Sequence, residues 1–215
     1  MTLFRVDASI RQEGSVSREL ADTVVRRDFG ASPLPADAWQ LAATAGFVPE
    51  EQRSSDQLAA AALAAQLGDE VLAADAVVIA SPLYNFGVAQ HLKTWIDLLI
   101  TDPRFAPGTS PLAGRPVTVV AVRGGGYSPG TPREGWDHAT PYVQRIFGDV
   151  FGADVTIVTA ELTLADVKPE MAHLRDLAAG SRADANDLAA TTGREHARLV
   201  AARRSRAESN LSGVA

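Results

Sequence analysis

The chain has 215 residues, 46% hydrophobic and 21% charged, with a formal net charge of -6. That length and balance suit one globular domain with a substantial core, and the acidic surplus, with no basic aromatic-interleaved patch, argues against a nucleic-acid partner. Cysteine is absent, which excludes disulfides, thiolate chemistry and cysteine-ligated metals. The four histidines, His91, His138, His173 and His196, lack metal-ligand spacing, so no metal site is expected. The first residues, MTLFRVDASIRQ, carry charge too early for a secretory segment. No apolar run approaches the roughly 20 residues that a bilayer demands. A cytoplasmic protein without a membrane partner is expected.

In chain order, Leu3 to Ala8 reads as a first strand. A loop-like stretch from Gly30 to Glu51 follows, punctuated by Pro33, Pro35 and Pro49, with a short helix around Ala36 to Ala45. Asp56 to Leu72 is an alanine-rich helical pattern. Ala76 to Ala80 (AVVIA) has the continuous apolar character of a strand buried on both faces. Ala89 to Ile100 spaces Leu92, Trp95, Ile96 and Leu99 as a helix does. Pro116 to Val122 reads as a strand. Thr140 to Val150 carries a helical stripe of Tyr142, Val143, Ile146, Phe147 and Val150, and Val155 to Thr159 is a further strand. Strands alternating with helices of about 10 to 15 residues imply parallel βαβ units, hence an α/β, three-layer doubly wound parallel sheet. Beyond Pro169 a helix to about Ala179, a Gly-Ser-Arg break and more helix from about Ala185 are expected. Glu208 to Ala215 read as frayed or disordered. The domain reading is therefore 1–180 for the sheet domain and 181–215 for a helical, partly disordered extension.

Three segments carry the chemistry. Ser9 and the run Ser15-Val16-Ser17 follow the first strand, and hydroxyls with first-turn N–H groups at a helix start suit an anion. The segment Ser81-Pro82-Leu83-Tyr84-Asn85-Phe86-Gly87, read as a loop, offers ring faces, amides and a residue without Cβ. Arg123-Gly124-Gly125-Gly126-Tyr127 lets backbone approach a planar ligand, while Arg123 is either an anion partner or a surface residue. All three follow the carboxyl ends of expected strands, and in a parallel sheet those ends share one edge, where open α/β sheets bind ligands. One loop suits a phosphate and two suit a flat ring. A phosphorylated aromatic cofactor such as FMN meets both demands.

With S-x5-SVS at Ser9 to Ser17, SPLYNFGVAQHLKTWID at Ser81 to Asp97, RGGG at Arg123 to Gly126 and TPYVQRIFGDVFG at Thr140 to Gly152, the chain resembles the FMN-dependent NADH-azoreductases. These are a branch of the flavodoxin-like quinone reductases, and the likeness runs from Leu3 to about Met171. The resemblance implies a flavodoxin-like sheet of order 2-1-3-4-5. It also implies one FMN per subunit, with Ser9, Ser15, Val16 and Ser17 at the phosphate. Leu83, Tyr84, Asn85 and Phe86 would then lie along the flavin, with Arg123, Gly124 and Gly125 at its pyrimidine side. It further implies a homodimer with its sites at the subunit interface, and two-electron ping-pong transfer from NADH or NADPH to quinones or azo dyes. The flavin carries the redox chemistry, so no catalytic acid or base is nominated.

The chain departs from that family in its first unit. Only nine residues, Arg18 to Arg26, separate Ser17 from Arg27, too few for a full crossover helix of about 13 residues and a strand. Either Arg18 to Asp28 is all helix and the second, edge strand is missing, or Thr23 to Arg26 is a stub strand. The alternatives to the reductase are a flavodoxin-type one-electron carrier and a truncated inactive paralogue.

Overall fold

The apolar centre of the chain sets the architecture. The computed structural model describes residues 2–9 and 25–212. Strand β3, Ala76–Tyr84, lies between β1, Leu3–Asp7, and β5, Pro116–Val122. The parallel order is completed by β2, Val25–Asp28, outside β1 and β6, Asp154–Ala160, outside β5. A two-residue strand β4, Gly87–Val88, pairs antiparallel with the end of β3. Leaving β4 aside, the order of the parallel strands is 2-1-3-4-5, as the resemblance implies.

Of the two alternatives for the second strand, missing or a stub, the structure has the short strand. Val25–Asp28 pairs with Phe4–Asp7 along four positions, so the edge strand exists, short and two residues later than the stub expected at Thr23 to Arg26. Its Arg27 donates from Nε to Glu70 at 2.8 Å, tying the edge to the helix packed on it.

Register divides the sheet into two unlike faces. On one, Phe4, Val77 and Val117 form a row, and Val6, Ile79 and Val119 the next. Helices α2, Ser55–Leu72, α3, Gln90–Thr101, and α4, Ala139–Gln144, pack their apolar residues against it. α2 begins where Ser54 Oγ accepts the Gln57 N–H while the Gln57 side chain accepts the Ser54 N–H, a capping box that satisfies two otherwise orphaned donors. α1, Ala38–Ala45, covers α2 and α3. Trp95 of α3 is fully buried at the centre, with ring centroids 6.1 Å from Phe4, 6.2 Å from Phe29 and 5.8 Å from Phe147. α4 runs on as a wider π turn over Arg145–Val150, which places Phe147 inward, so the expected stripe is present with a change of pitch.

The opposite face is more polar. Arg5 donates to Asp7 at 2.9 Å with both buried, and Thr118 lies 3.3 Å from His196 Nδ1. Helix α5, Arg175–Ser212, covers this face, with Ala185 packed on Val158 and Ala160. The expected break at Gly180-Ser181-Arg182 is not there, because Ser181 Oγ accepts the Glu161 N–H at 2.9 Å and the helix continues through it. The helix runs to Ser212, and residues 213–215 lie outside the described residues. No helix among the described residues is long and apolar enough to cross a membrane, and no cluster of three potential metal ligands occurs among them.

Candidate active site at the carboxyl edge

Three adjacent parallel strands, β1, β3 and β5, bring their carboxyl ends to one edge. Ser9 follows β1 and is buried, and its hydroxyl stands 3.5 Å from that of Tyr84 at the end of β3. The first two expected segments therefore meet. Ser15, Val16 and Ser17 lie outside the described residues.

The Ser81 to Gly87 segment is not the open loop expected. Ser81 to Tyr84 extends β3, and Asn85-Phe86 form a two-residue hairpin closed by the Tyr84–Gly87 and Leu83–Val88 pairs. Both turn residues have positive φ, +49° at Asn85 and +65° at Phe86, the mark of a type I′ turn. Asparagine adopts that region with little cost; phenylalanine does so only when its surroundings hold it. Here His138 donates its N–H to the Phe86 carbonyl at 2.9 Å, and Trp136 packs on the ring at 5.4 Å between centroids. Phe86 and Trp136 remain 39% and 52% exposed, so the hairpin presents aromatic surface at this rim. Among the described residues, the N–H groups of Asn85 and Phe86 have no acceptor.

The third segment is shaped by charge. Arg123 is neither a free anion partner nor a surface residue: its guanidinium is enclosed by two carboxylates, Asp137 at 2.5 Å and Glu161 at 2.8 Å, and donates to Thr140 Oγ1 at 3.0 Å. Its backbone N–H is spent on Ala160 O at 2.8 Å. Glu161 also accepts the Tyr127 N–H at 3.1 Å and the Ser128 hydroxyl at 3.0 Å. Asp137 caps α4 by accepting the Ala139 and Thr140 N–H groups. Burial alone would raise the Asp137 pKa, but the Thr140 hydrogen bonds and the Arg123 charge outweigh it and leave the carboxylate below its ordinary range.

Between these anchors Gly124, Gly125 and Gly126 make a bend whose N–H groups have no acceptor among the described residues. A Cβ at Gly124 would fall 2.6 Å from Leu164 Cδ1, so a larger residue there would have to displace that side chain or the bend. A crevice lined by Ser81, Leu83, Arg123, Ala139 and Thr140 joins the second and third segments. Of the residues expected to bind a ligand, Ser9, Leu83, Tyr84, Asn85, Phe86, Arg123, Gly124 and Gly125 thus share one edge.

Asp137, Glu161 and Trp136 escaped the sequence reading. Glu161 was accessible to it as an acid just past a strand that ends on the same edge. Asp137 was accessible as a capping residue three positions before Thr140.

Comparison with known proteins agrees with this geometry. The family model for the flavodoxin-like fold matches residues 1–196. An FMN-dependent NADH:quinone oxidoreductase of a Parafrankia species is 38% identical over 204 residues, spanning 87% of this chain and 96% of that protein. Its counterpart in Kineococcus radiotolerans is 43% identical over 176 residues, spanning 79% and 82%. Among solved structures, an azoreductase from Bacillus anthracis superposes with a TM-score of 0.65 at 26% identity, covering 88% of this chain and 99% of that one.

Proposed function

Because the chain belongs to the FMN-dependent NADH:quinone oxidoreductase family, with its flavodoxin-like fold, we propose that it passes electrons from NADH through FMN to quinones and azo compounds. The observation that carries this reading is the row of backbone donors at Asn85, Phe86 and Gly124 to Gly126, without acceptors among the described residues, on adjacent strand ends. A flat heterocycle bearing carbonyl and ring-nitrogen acceptors matches such a row, and the glycine bend admits it without a Cβ in the way. The residues present fit the cofactor.

In this reading Ser9, Ser15, Val16 and Ser17 hold the phosphate. Leu83, Tyr84, Asn85 and Phe86 lie along the ring, and Gly124 and Gly125 donate N–H groups to its pyrimidine side. Arg123 acts indirectly, by fixing the bend. Bound FMN supplies the two-electron chemistry by ping-pong exchange. The chain's own residues position it, exclude water through the Phe86–Trp136 aromatic surface, and present a flat apolar wall to the acceptor. Product protons come from solvent, so no side chain serves as acid or base. NADPH is a second candidate donor.

A homodimer with sites at the subunit interface goes with this reading, supported by the aromatic surface exposed beside the site. So does a cytoplasmic location, supported by the absence of cysteine. Residues 1–180 carry the cofactor loops and 181–215 serve as cover for the polar face. The reading as an inactive paralogue rests on the shortened first unit; its strand β2 is present, and residues 10–24 lie outside the described residues. The test is the visible spectrum of the purified protein: yellow, bleached by NADH and recoloured by benzoquinone. Protein that stays colourless with added FMN overturns the proposal. Oxidised flavin that NADH does not bleach assigns the chain to the electron carriers instead.

A further inference from the structure

We infer that Glu161 is a positioning residue for the cofactor, holding the Arg123 to Ser128 bend in its binding shape and keeping negative charge beside it; the inference rests on the function proposed above. Glu161 is buried at the carboxyl end of β6, yet its side chain works on the neighbouring segment. One oxygen accepts from Arg123 Nη1 at 2.8 Å and the Tyr127 N–H at 3.1 Å; the other accepts the Ser128 hydroxyl at 3.0 Å. These contacts bracket the three glycines, gripping the residue before them and the two after. Three successive glycines have the least intrinsic preference for one conformation, so their shape must be imposed from outside.

Among the described residues, Glu161 is the side chain that hydrogen-bonds both ends of the bend. Thr163, Leu164 and Leu162 donate their N–H groups to the Arg123, Gly124 and Gly125 carbonyls, which fixes the bend as far as its middle glycine. Asp137 holds Arg123 from the α4 side without touching Tyr127 or Ser128. A carboxylate suits this place because every group facing it is a donor. A glutamine would turn its NH2 toward one of them.

Charge gives a second consequence. Arg123 is paired with two carboxylates, Asp137 and Glu161, so the cluster as built carries one net negative charge at low exposure. Fixed negative charge near a bound redox group disfavours its electron-rich form, and burial strengthens the effect. Glu161 therefore holds the bound flavin's midpoint potential lower than a neutral residue would.

The experiment compares wild-type protein with Glu161→Gln and Ser128→Ala, measuring FMN affinity by fluorescence quenching and midpoint potential by spectroelectrochemical titration. Losing charge-assisted hydrogen bonds from a buried carboxylate corresponds to roughly 10- to 100-fold weaker FMN binding for E161Q, with a potential shifted upward. S128A, which removes one hydroxyl donor and no charge, weakens FMN about two- to fivefold and leaves the potential in place. E161Q with wild-type affinity and potential overturns the inference. Should E161Q fail to fold, S128A decides alone: unchanged affinity overturns it. Wild-type protein that takes up no FMN instead overturns the proposed function, which separates the two failures.

Discussion

Trp136 stands edge-on to Phe86, 5.4 Å between ring centroids, above a backbone that Phe86 holds at φ +65°. A bulky residue in the left-handed region costs about 1–2 kcal/mol, and an aromatic pair returns about 0.5–1.5 kcal/mol beyond its buried area. The two effects nearly cancel, so Phe86 is kept for its ring and not for stability.

Phe86→Gly creates an Asn-Gly sequence that suits a type I′ turn. Unfolding in urea should show a stability within about 1 kcal/mol of wild type, while quinone turnover falls severalfold or more. A large stability loss with unchanged turnover would contradict the role given to this ring.

Trp95 is fully buried among Phe4, Phe29 and Phe147, and its Nε1–H has no acceptor among the described residues. Trp95→Ala should cost about 3–5 kcal/mol by denaturant titration. Trp95→Phe keeps ring contacts and removes an unsatisfied donor, so its cost should stay below about 1.5 kcal/mol.

Gly124 is set against Leu164, and G124A would place a Cβ 2.6 Å from that side chain. Either Leu164 or the bend must shift, at a cost of about 1–3 kcal/mol, and where the bend gives way FMN affinity should drop about tenfold. Adding Leu164→Ala opens the space and should restore most of the affinity. Failure of the double variant to recover would mean that the glycine serves something other than this contact.

His196, on the inner side of α5, lies against Thr118, where burial lowers its pKa below the ordinary 6.5, with Glu195 and Asp154 opposing the shift only in part. The sign follows from linkage. Above about pH 6.5 the imidazole is neutral in both folded and unfolded chains and contributes no slope. As pH falls from there toward the depressed folded value, the unfolded chain takes up the proton first and stability declines. Melting temperatures of His196→Gln, measured from pH 8 to 5, should lose that part of the decline.

The apolar runs that became β3, β5 and β6 were legible because strands buried on both faces need continuous Val, Ile and Ala, and nothing nearby competes. The shared edge was legible too, since parallel strands leave no other place for their loops. Ser81-Pro82 suggested the end of a strand, but β1 stops opposite Ala80, and beyond it β3 has one neighbour fewer, where proline is tolerated as at an edge. β2 was obscured by its polar composition, VRRD, a short edge strand secured by Arg27 and Glu70. Gly180-Ser181 read as a break by local preference, whereas the helix is held there by Glu161, 20 residues earlier in the chain. The Arg123 cluster was hidden for the same reason, because its members come from three separate segments.

At a rise of about 1.5 Å per residue, the 38 residues of α5 make a rod of about 57 Å. It is fastened at both rims: Ser181 to Glu161 near the cofactor loops, Arg203 and Arg204 to Gly114 and Asp75 at the far side. Shortening the chain from its carboxyl end therefore unhooks the distant rim before it disturbs the chemistry. A graded series of truncations would lose heat resistance first and colour last.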